Sequence, residues 1–124
     1  KLIGKNIPII IGGDFNVIPA DEDVYEPKYF LDDACAHPET RKLYRILINN
    51  GFTDIIKNFM KGNGNWTYWG YRGGSWHKNN GLRIDHFLTT PEITDLIKNV
   101  KILKEIRGYE KASDHTPVII EVEN

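Results

Sequence analysis

The run Ile9-Ile10-Ile11-Gly12-Gly13-Asp14-Phe15-Asn16 constrains this chain more than any other segment. Its β-branched residues favour a buried strand, two glycines end it, and an acid and an amide follow at once. Near the other end, Arg83-Ile84-Asp85-His86 and Ser113-Asp114-His115 repeat the arrangement. Each places an acid or an imidazole beside an apolar, strand-like run. Strand ends are where an α/β sheet presents chemistry, because the backbone is held rigidly while side chains face a crevice. Three such ends predict one polar site drawn from the whole length of the chain.

The 124 residues, 40% of them apolar, fit one domain with a modest core. No stretch approaches the ~18 consecutive apolar residues of a membrane span, so no membrane association is expected. A single cysteine, Cys35, rules out an internal disulfide framework. With no cleavable leader visible, it points to a reducing, cytoplasmic setting, with Cys35 as a buried or incidental thiol. A net charge of −1 makes no global case for nucleic acid. The distribution is more informative. Asp21, Glu22, Asp23, Glu26, Asp32 and Asp33 form an acidic stretch relieved only by Lys28. Between Asp54 and Asp85 there is no acid, while Lys57, Lys61, Arg72, Lys78 and Arg83 fall in that interval. On charge alone, a phosphate-binding face and a solvated loop are equal readings.

Periodicity predicts a strand over Ile7–Ile11, then a long acidic loop over 18–37. A helix follows from Pro38 to about Asn50, with Leu43/Leu47 and Tyr44/Ile48 at helical spacing and Gly51 as C-cap. Asp54–Met60 reads as another helical turn. Trp66–Tyr71 is an aromatic strand, Arg72–Gly81 a loop, and Leu82–Leu88 a strand. Alternation in that strand puts Leu82, Ile84 and His86 on one face and Arg83, Asp85 and Phe87 on the other. Thr89-Thr90-Pro91-Glu92 has a capping-box pattern that predicts a helix to about Lys98. Strands over Val100–Ile106 and at Val118–Val122 complete the chain.

The four histidines and one cysteine lack zinc spacing. The candidate ligands are the hard oxygens of Asp14, Asn16 and Asp114, which select Mg²⁺ or Mn²⁺. Such an ion neutralises a phosphate and stabilises a leaving oxygen. With no phosphate-cradling Gly-rich loop and no nucleophile elbow, the simplest nucleophile is water. His115 is the candidate catalytic imidazole, and Asp85 could fix its tautomer. Asp14 could take the proton of the attacking water, and Asn16 could donate to the phosphoryl oxygen. Taken singly, each aspartate reads as a turn or cap residue; the ordered set is what argues for a site.

The set also carries a resemblance. Gly12-Gly13-Asp14-Phe15-Asn16 resembles a GDxN element. Trp66-Thr67-Tyr68-Trp69-Gly70-Tyr71-Arg72 with Gly81-Leu82-Arg83-Ile84-Asp85-His86 resembles an aromatic strand and RxD element. Ser113-Asp114-His115-Thr116-Pro117-Val118 resembles an SDHxPV ending. In this order they are similar to the C-terminal half of the exonuclease III family, within the Mg²⁺-dependent endonuclease/exonuclease/phosphatase superfamily. The resemblance implies half of a four-layer αββα sandwich, this chain giving a mixed sheet with helices on one face. It implies that Asp14 activates water, Asn16 stabilises the transition state, Asp85 orients His115, and Asp14, Asn16 and Asp114 serve the metal. Tyr68, Trp69 and Leu82, with His115, would contact an extrahelical abasic sugar, and Arg72 would lie against DNA. The implied substrate is double-stranded DNA with abasic sites or 3′ ends, an abasic nucleotide being easy to extrude because no base pair is lost. The family's first half, with its own Asn, metal-binding Glu and phosphate-contacting Tyr, is the implied partner. A phosphoinositide or sphingomyelin phosphohydrolase of the same superfamily, and a non-catalytic DNA-binding half-domain, are the alternative readings.

Overall fold

A computed structural model describes residues 7–124. Strand β1 (Ile10–Asp14) pairs antiparallel with β3 (Asp85–Thr89), and β3 pairs on its other edge with the short β2 (Thr53–Asp54). A second antiparallel ladder joins β4 (Ile97–Ile102) to β5 (Val118–Val122). Every ladder among the described strands is antiparallel, and they form two sheets rather than one. Helix α1 (Pro38–Asn49) fulfils the helical spacing and is capped by the His37 ring, whose Nδ1 accepts from the Glu39 amide at 3.1 Å. Helix α2 (Ile55–Phe59) begins at Asp54, and α3 (Ser75–Lys78) and α4 (Pro91–Thr94) are single turns. No helix among the described residues is long and apolar enough to cross a membrane.

Several boundaries depart from the sequence expectation, each for a local reason. β1 starts three residues late and runs through Gly12 and Gly13, because a Cβ at Gly12 would sit 2.4 Å from the Phe87 ring facing it on β3. The 18–37 stretch is not an open loop. It winds through three 3-10 turns (Asp21–Asp23, Pro27–Phe30, Ala34–Ala36) and closes on itself where the Ile18 amide donates to the Cys35 carbonyl at 2.8 Å. The helix expected up to Lys98 stops at Thr94: the Thr90 hydroxyl accepts from the Ile9 amide at 2.9 Å instead of capping a helix. β4 then starts early, because Ile97 and Val100 are buried against Ile55 and Ile56 of α2. Residues Lys104–Gly108 form a 3-10 turn in place of the strand's expected end.

The core is three small clusters. Val17, Tyr44, Phe52 and Leu88 form one, Ile18, Val24, Leu82 and Ile84 the second, and Ile55, Ile56, Ile97 and Val100 the third. A buried ion network runs between them. The Arg83 guanidinium, 2% exposed, donates from Nε to Asp23 at 2.8 Å and from Nη2 and Nη1 to Asp54 at 2.9 and 3.0 Å. Nη1 also reaches His86 Nδ1 at 3.1 Å, so two residues that strict alternation puts on opposite faces are joined. His86 Nε2 lies 2.8 Å from the Val17 carbonyl, which can only accept, so the neutral tautomer carries its proton on Nε2 and accepts from Arg83 on Nδ1. Burial and the neighbouring Arg83 charge push this imidazole down to about 4. Burial works against the Asp54 carboxylate, yet the Arg83 charge and hydrogen bonds hold it below its usual range.

The buried His86 generates a pH prediction. Unfolded, a histidine takes a proton near its usual 6.5, whereas the folded imidazole waits until about 4. Its contribution is therefore complete above pH 6.5 and is lost as pH falls toward 4, by an amount on the order of 3 kcal/mol. Urea unfolding of the full-length protein across this window should show stability falling with pH, with a flatter profile for His86→Gln.

Candidate active site

The three sequence elements meet. Asp14 ends β1 opposite Asp85, the first residue of β3. His115 is brought over by the segment 67–69. The Trp69 amide donates to the Asp114 carbonyl and the Thr116 amide to the Thr67 carbonyl, both at 2.9 Å, while Tyr68 bridges to Leu82 on one side and His115 on the other. The expected aromatic strand is thus a short connector with one bridge to each neighbour rather than a ladder strand.

His115 Nδ1 donates to Asp85 Oδ2 at 2.9 Å. That bond fixes the tautomer and leaves Nε2 facing Asp14 Oδ2 at 3.6 Å. Ligating atoms of Asp14, Asp85 and His115 all lie within 4.8 Å of one another. Asn16 adopts a left-handed backbone (φ 51°), held by its amide donating to Asp14 Oδ1 at 2.9 Å. An Asn tolerates this conformation better than most residues, and here it turns the chain just past the strand end. Asp114 does not join the carboxylate cluster, contrary to the expected grouping with Asp14. Successive side chains of an extended segment point opposite ways, and His115 is the one turned toward Asp85. Asp114 still lines the adjoining cavity.

That cavity, of about 510 Å³, is lined by Asn16 and His115 together with Tyr68, Leu82 and Ile84. The Tyr68 ring packs edge-on to His115 with centroids 5.0 Å apart. Burial and the nearby Asp114 raise the Tyr68 phenol, so it stays a neutral wall. Arg72, exposed, lines the cavity too. Trp69 is the correction: its indole is 0% exposed, donates to Asn79 Oδ1 at 2.9 Å and packs on Trp76, so it has no surface to offer a ligand. Tyr25, Phe30 and Cys35 also line the cavity, from the stretch the sequence presented only as a loop, and they pack with Leu82 and Ile84. Burial and Asp33 push the Cys35 thiol up to about 11, so it is protonated and inert.

Residues 1–115 match the endonuclease/exonuclease/phosphatase family. The chain belongs to it. It is 32% identical over 121 residues to an exodeoxyribonuclease III of Haemophilus influenzae, covering 92% of this chain and 45% of that protein. It is also 32% identical over 117 residues to a DNA-(apurinic or apyrimidinic site) endonuclease of Dictyostelium discoideum, covering 94% of this chain and 32% of that one. Among solved structures, the 3′ phosphatase NExo from Neisseria bound to product DNA hairpin superposes with a TM-score of 0.90 at 32% identity, covering 94% of this chain and 46% of that one. The chain spans less than half the length of the relatives it matches. Its fold is the DNase I-like one expected from the sequence, as half of an αββα sandwich.

Two functional positions escape sequence reasoning. Asp23 looks like one more solvated acid, yet it is 3% exposed and anchors Arg83 beside the site. Thr67, fully buried, accepts from the Ile84 and Asp85 amides on Oγ1 at 3.2 and 3.1 Å while its carbonyl takes the Thr116 amide. One residue therefore positions the backbones that carry Asp85 and His115. Thr67→Val keeps the shape and strands two buried N–H groups, at a cost of ~1–3 kcal/mol each. Amide exchange at Ile84 and Asp85 should accelerate in that variant and return to normal in Thr67→Ser, which keeps the oxygen.

Proposed function

We propose that this chain is the C-terminal half of a DNA repair nuclease that hydrolyses phosphodiesters, incising 5′ of abasic sites and trimming 3′ ends. One observation carries the reading: His115, fixed by Asp85 and turned toward Asp14, lines one cavity together with Tyr68, Leu82, Ile84 and the exposed Arg72. A baseless sugar is compact and largely apolar, which suits Tyr68, Leu82 and Ile84, and the flanking phosphates suit Arg72 and the acid-free interval around it. A lipid phosphatase needs no such largely apolar pocket beside Arg72.

The residues have separable tasks. Asp85 accepts the Nδ1 hydrogen and aims the other ring nitrogen at the reacting centre, where Nε2 accepts in the neutral ring and donates to a phosphoryl oxygen only as the imidazolium. Asp14 is the base within reach of an attacking water. Asn16 offers an amide N–H to the oxygen on which charge develops. The donor set fits a hard divalent cation: Asp14 and Asn16 would supply oxygens, and Mg²⁺ usually completes its shell with waters and substrate phosphate. When bound, Mg²⁺ (or Mn²⁺) would neutralise the phosphate and ease departure of the leaving oxygen. The protonated Cys35 thiol is compatible with the cytoplasmic setting we propose.

The other half of the same fold is the proposed partner. Every residue of β1 is exposed, and Ile10, Ile11, Ile119 and Val122 present bare apolar side chains on β1 and β5. An uncovered sheet face recruits a partner or aggregates. In the enzyme with both halves present, His115→Ala and Asp85→Ala should each lower turnover on an abasic duplex by ~10²-fold or more, and the double variant should be little worse than the weaker single one. Fully multiplicative losses would reject the pair as a unit. The 124-residue chain alone should not incise such a duplex, and adding the first half in trans should restore Mg²⁺-dependent cleavage. Incision by the chain alone, abolished by His115→Ala, would overturn this requirement.

A further inference from the structure

A second cavity, of about 300 Å³, opens beside the first and shares Gly70, Tyr71 and Ser75 with it. Trp76, His77, Arg107 and Tyr109 also line it, and no carboxylate does. Arg107 is the unusual member. It is 8% exposed, yet among the described residues no carboxylate lies within ion-pair distance of it. Its partners are neutral. Nε and Nη2 donate to the Trp69 carbonyl at 3.0 and 2.9 Å, Nη2 also to the Gly70 carbonyl at 3.3 Å, and the guanidinium lies 5.2 Å from the Tyr71 ring centre. The contrast is Arg83, equally enclosed but matched by Asp23 and Asp54. A buried cation with no internal counter-charge favours an anion in the space it faces.

The rim supplies the other half of a recognition site. Tyr71 and Tyr109, 66% and 63% exposed, flank the opening, and Lys104 Nζ lies 5.9 Å from the Trp76 ring centre. Glu105 and Glu110 are exposed on the neighbouring turns and do not line the cavity. Exposed aromatic rings over a basic pocket are the usual platform for unpaired bases, since every base has a π face to stack and a phosphate to neutralise. Packing accounts for Trp76, held between Trp69 and Gly108, and in part for Tyr71, whose hydroxyl donates to the Ala112 carbonyl at 3.2 Å, but not for the exposed Tyr109 at the same opening.

We propose that this second cavity binds one unpaired nucleotide adjoining the nucleotide held in the first, its phosphate toward Arg107 and His77 and its base on Tyr109 and Tyr71. The inference rests on the nucleic-acid substrate proposed above. Tyr109 serves as the test position because it lies outside the first cavity and outside the reacting groups.

The experiment uses the enzyme with both halves present, in EDTA, and two duplexes carrying a tetrahydrofuran abasic analogue. One is otherwise fully paired; in the other the nucleotides on both sides of the analogue are mismatched. Tyr109→Ala should weaken binding of the mismatched duplex on the order of 10-fold, leave the paired duplex within about twofold, and be rescued by Tyr109→Phe. A short oligothymidylate should quench tryptophan emission in the wild type and not in Trp76→Phe. Equal effects of Tyr109→Ala on both duplexes, or no quenching attributable to Trp76, would overturn the proposal. Failure to cleave any duplex with Mg²⁺ while Trp76 is still quenched would count against the nuclease reading and for the cavity.

Discussion

The Arg83 guanidinium is the point on which the rest of the structure depends. It ties the 18–37 stretch through Asp23, the start of α2 through Asp54, and the β3 segment through His86. Two of these carry part of the site: the 18–37 stretch lines the cavity, and β3 carries Asp85 two residues beyond Arg83. Buried ion pairs are weak evidence for net stability, because desolvation offsets most of the attraction. Breaking one is a different matter, since it leaves an uncompensated charge inside and costs ~3–5 kcal/mol. The network therefore acts as a register device: few other arrangements of these segments satisfy all five guanidinium hydrogens. Lys57 adds to it from α2, reaching Asp23 at 3.2 Å, and Tyr44 from α1 donates to Asp54 at 2.7 Å.

The second constraint is the connector Thr67–Trp69. A two-stranded ladder and a three-stranded one need a link if residues on both are to meet within hydrogen-bond distance. Thr67 and Tyr68 provide it through backbone bonds to Leu82 on one side and to the segment 114–116 on the other. Side-chain chemistry at the site is thus held by backbone hydrogen bonds a residue or two away, which is how a small fold with modest core clusters can present a fixed His–Asp pair.

The uneven covering of the chain fits its place in a larger fold. The β1 strand ends at Asp14 but is exposed along its length, and the same holds for alternate residues of β5. Relatives more than twice as long contain the remaining length in one protein. Under the function proposed above, a site assembled beside a bare sheet edge would tie turnover to the presence of the other half.

Much of the site was legible in the sequence, since Asp14, Asn16, Asp85 and His115 occupy short motifs whose residue types carry the chemistry wherever they are placed. The α1 helix was legible too, because its spacing is local and its start is marked by Pro38, although its C-cap is Asn50, with Gly51 (φ 106°) one residue beyond. Tertiary structure alone decided which of the remaining acids brace the site. Asp23 is indistinguishable from Asp21 in sequence, but it is buried against a guanidinium sixty positions away. Trp69 and Tyr68 are neighbours of like composition, and only packing turns one into the core and the other into the cavity. Thr67 carries no catalytic signature at all; its role exists only because two amides converge on one oxygen. Local sequence determines what a residue can do, through its pKa, shape and hydrogen-bonding groups. Which of those capacities are used depends on burial and on partners distant in the chain, and these arise only when it folds.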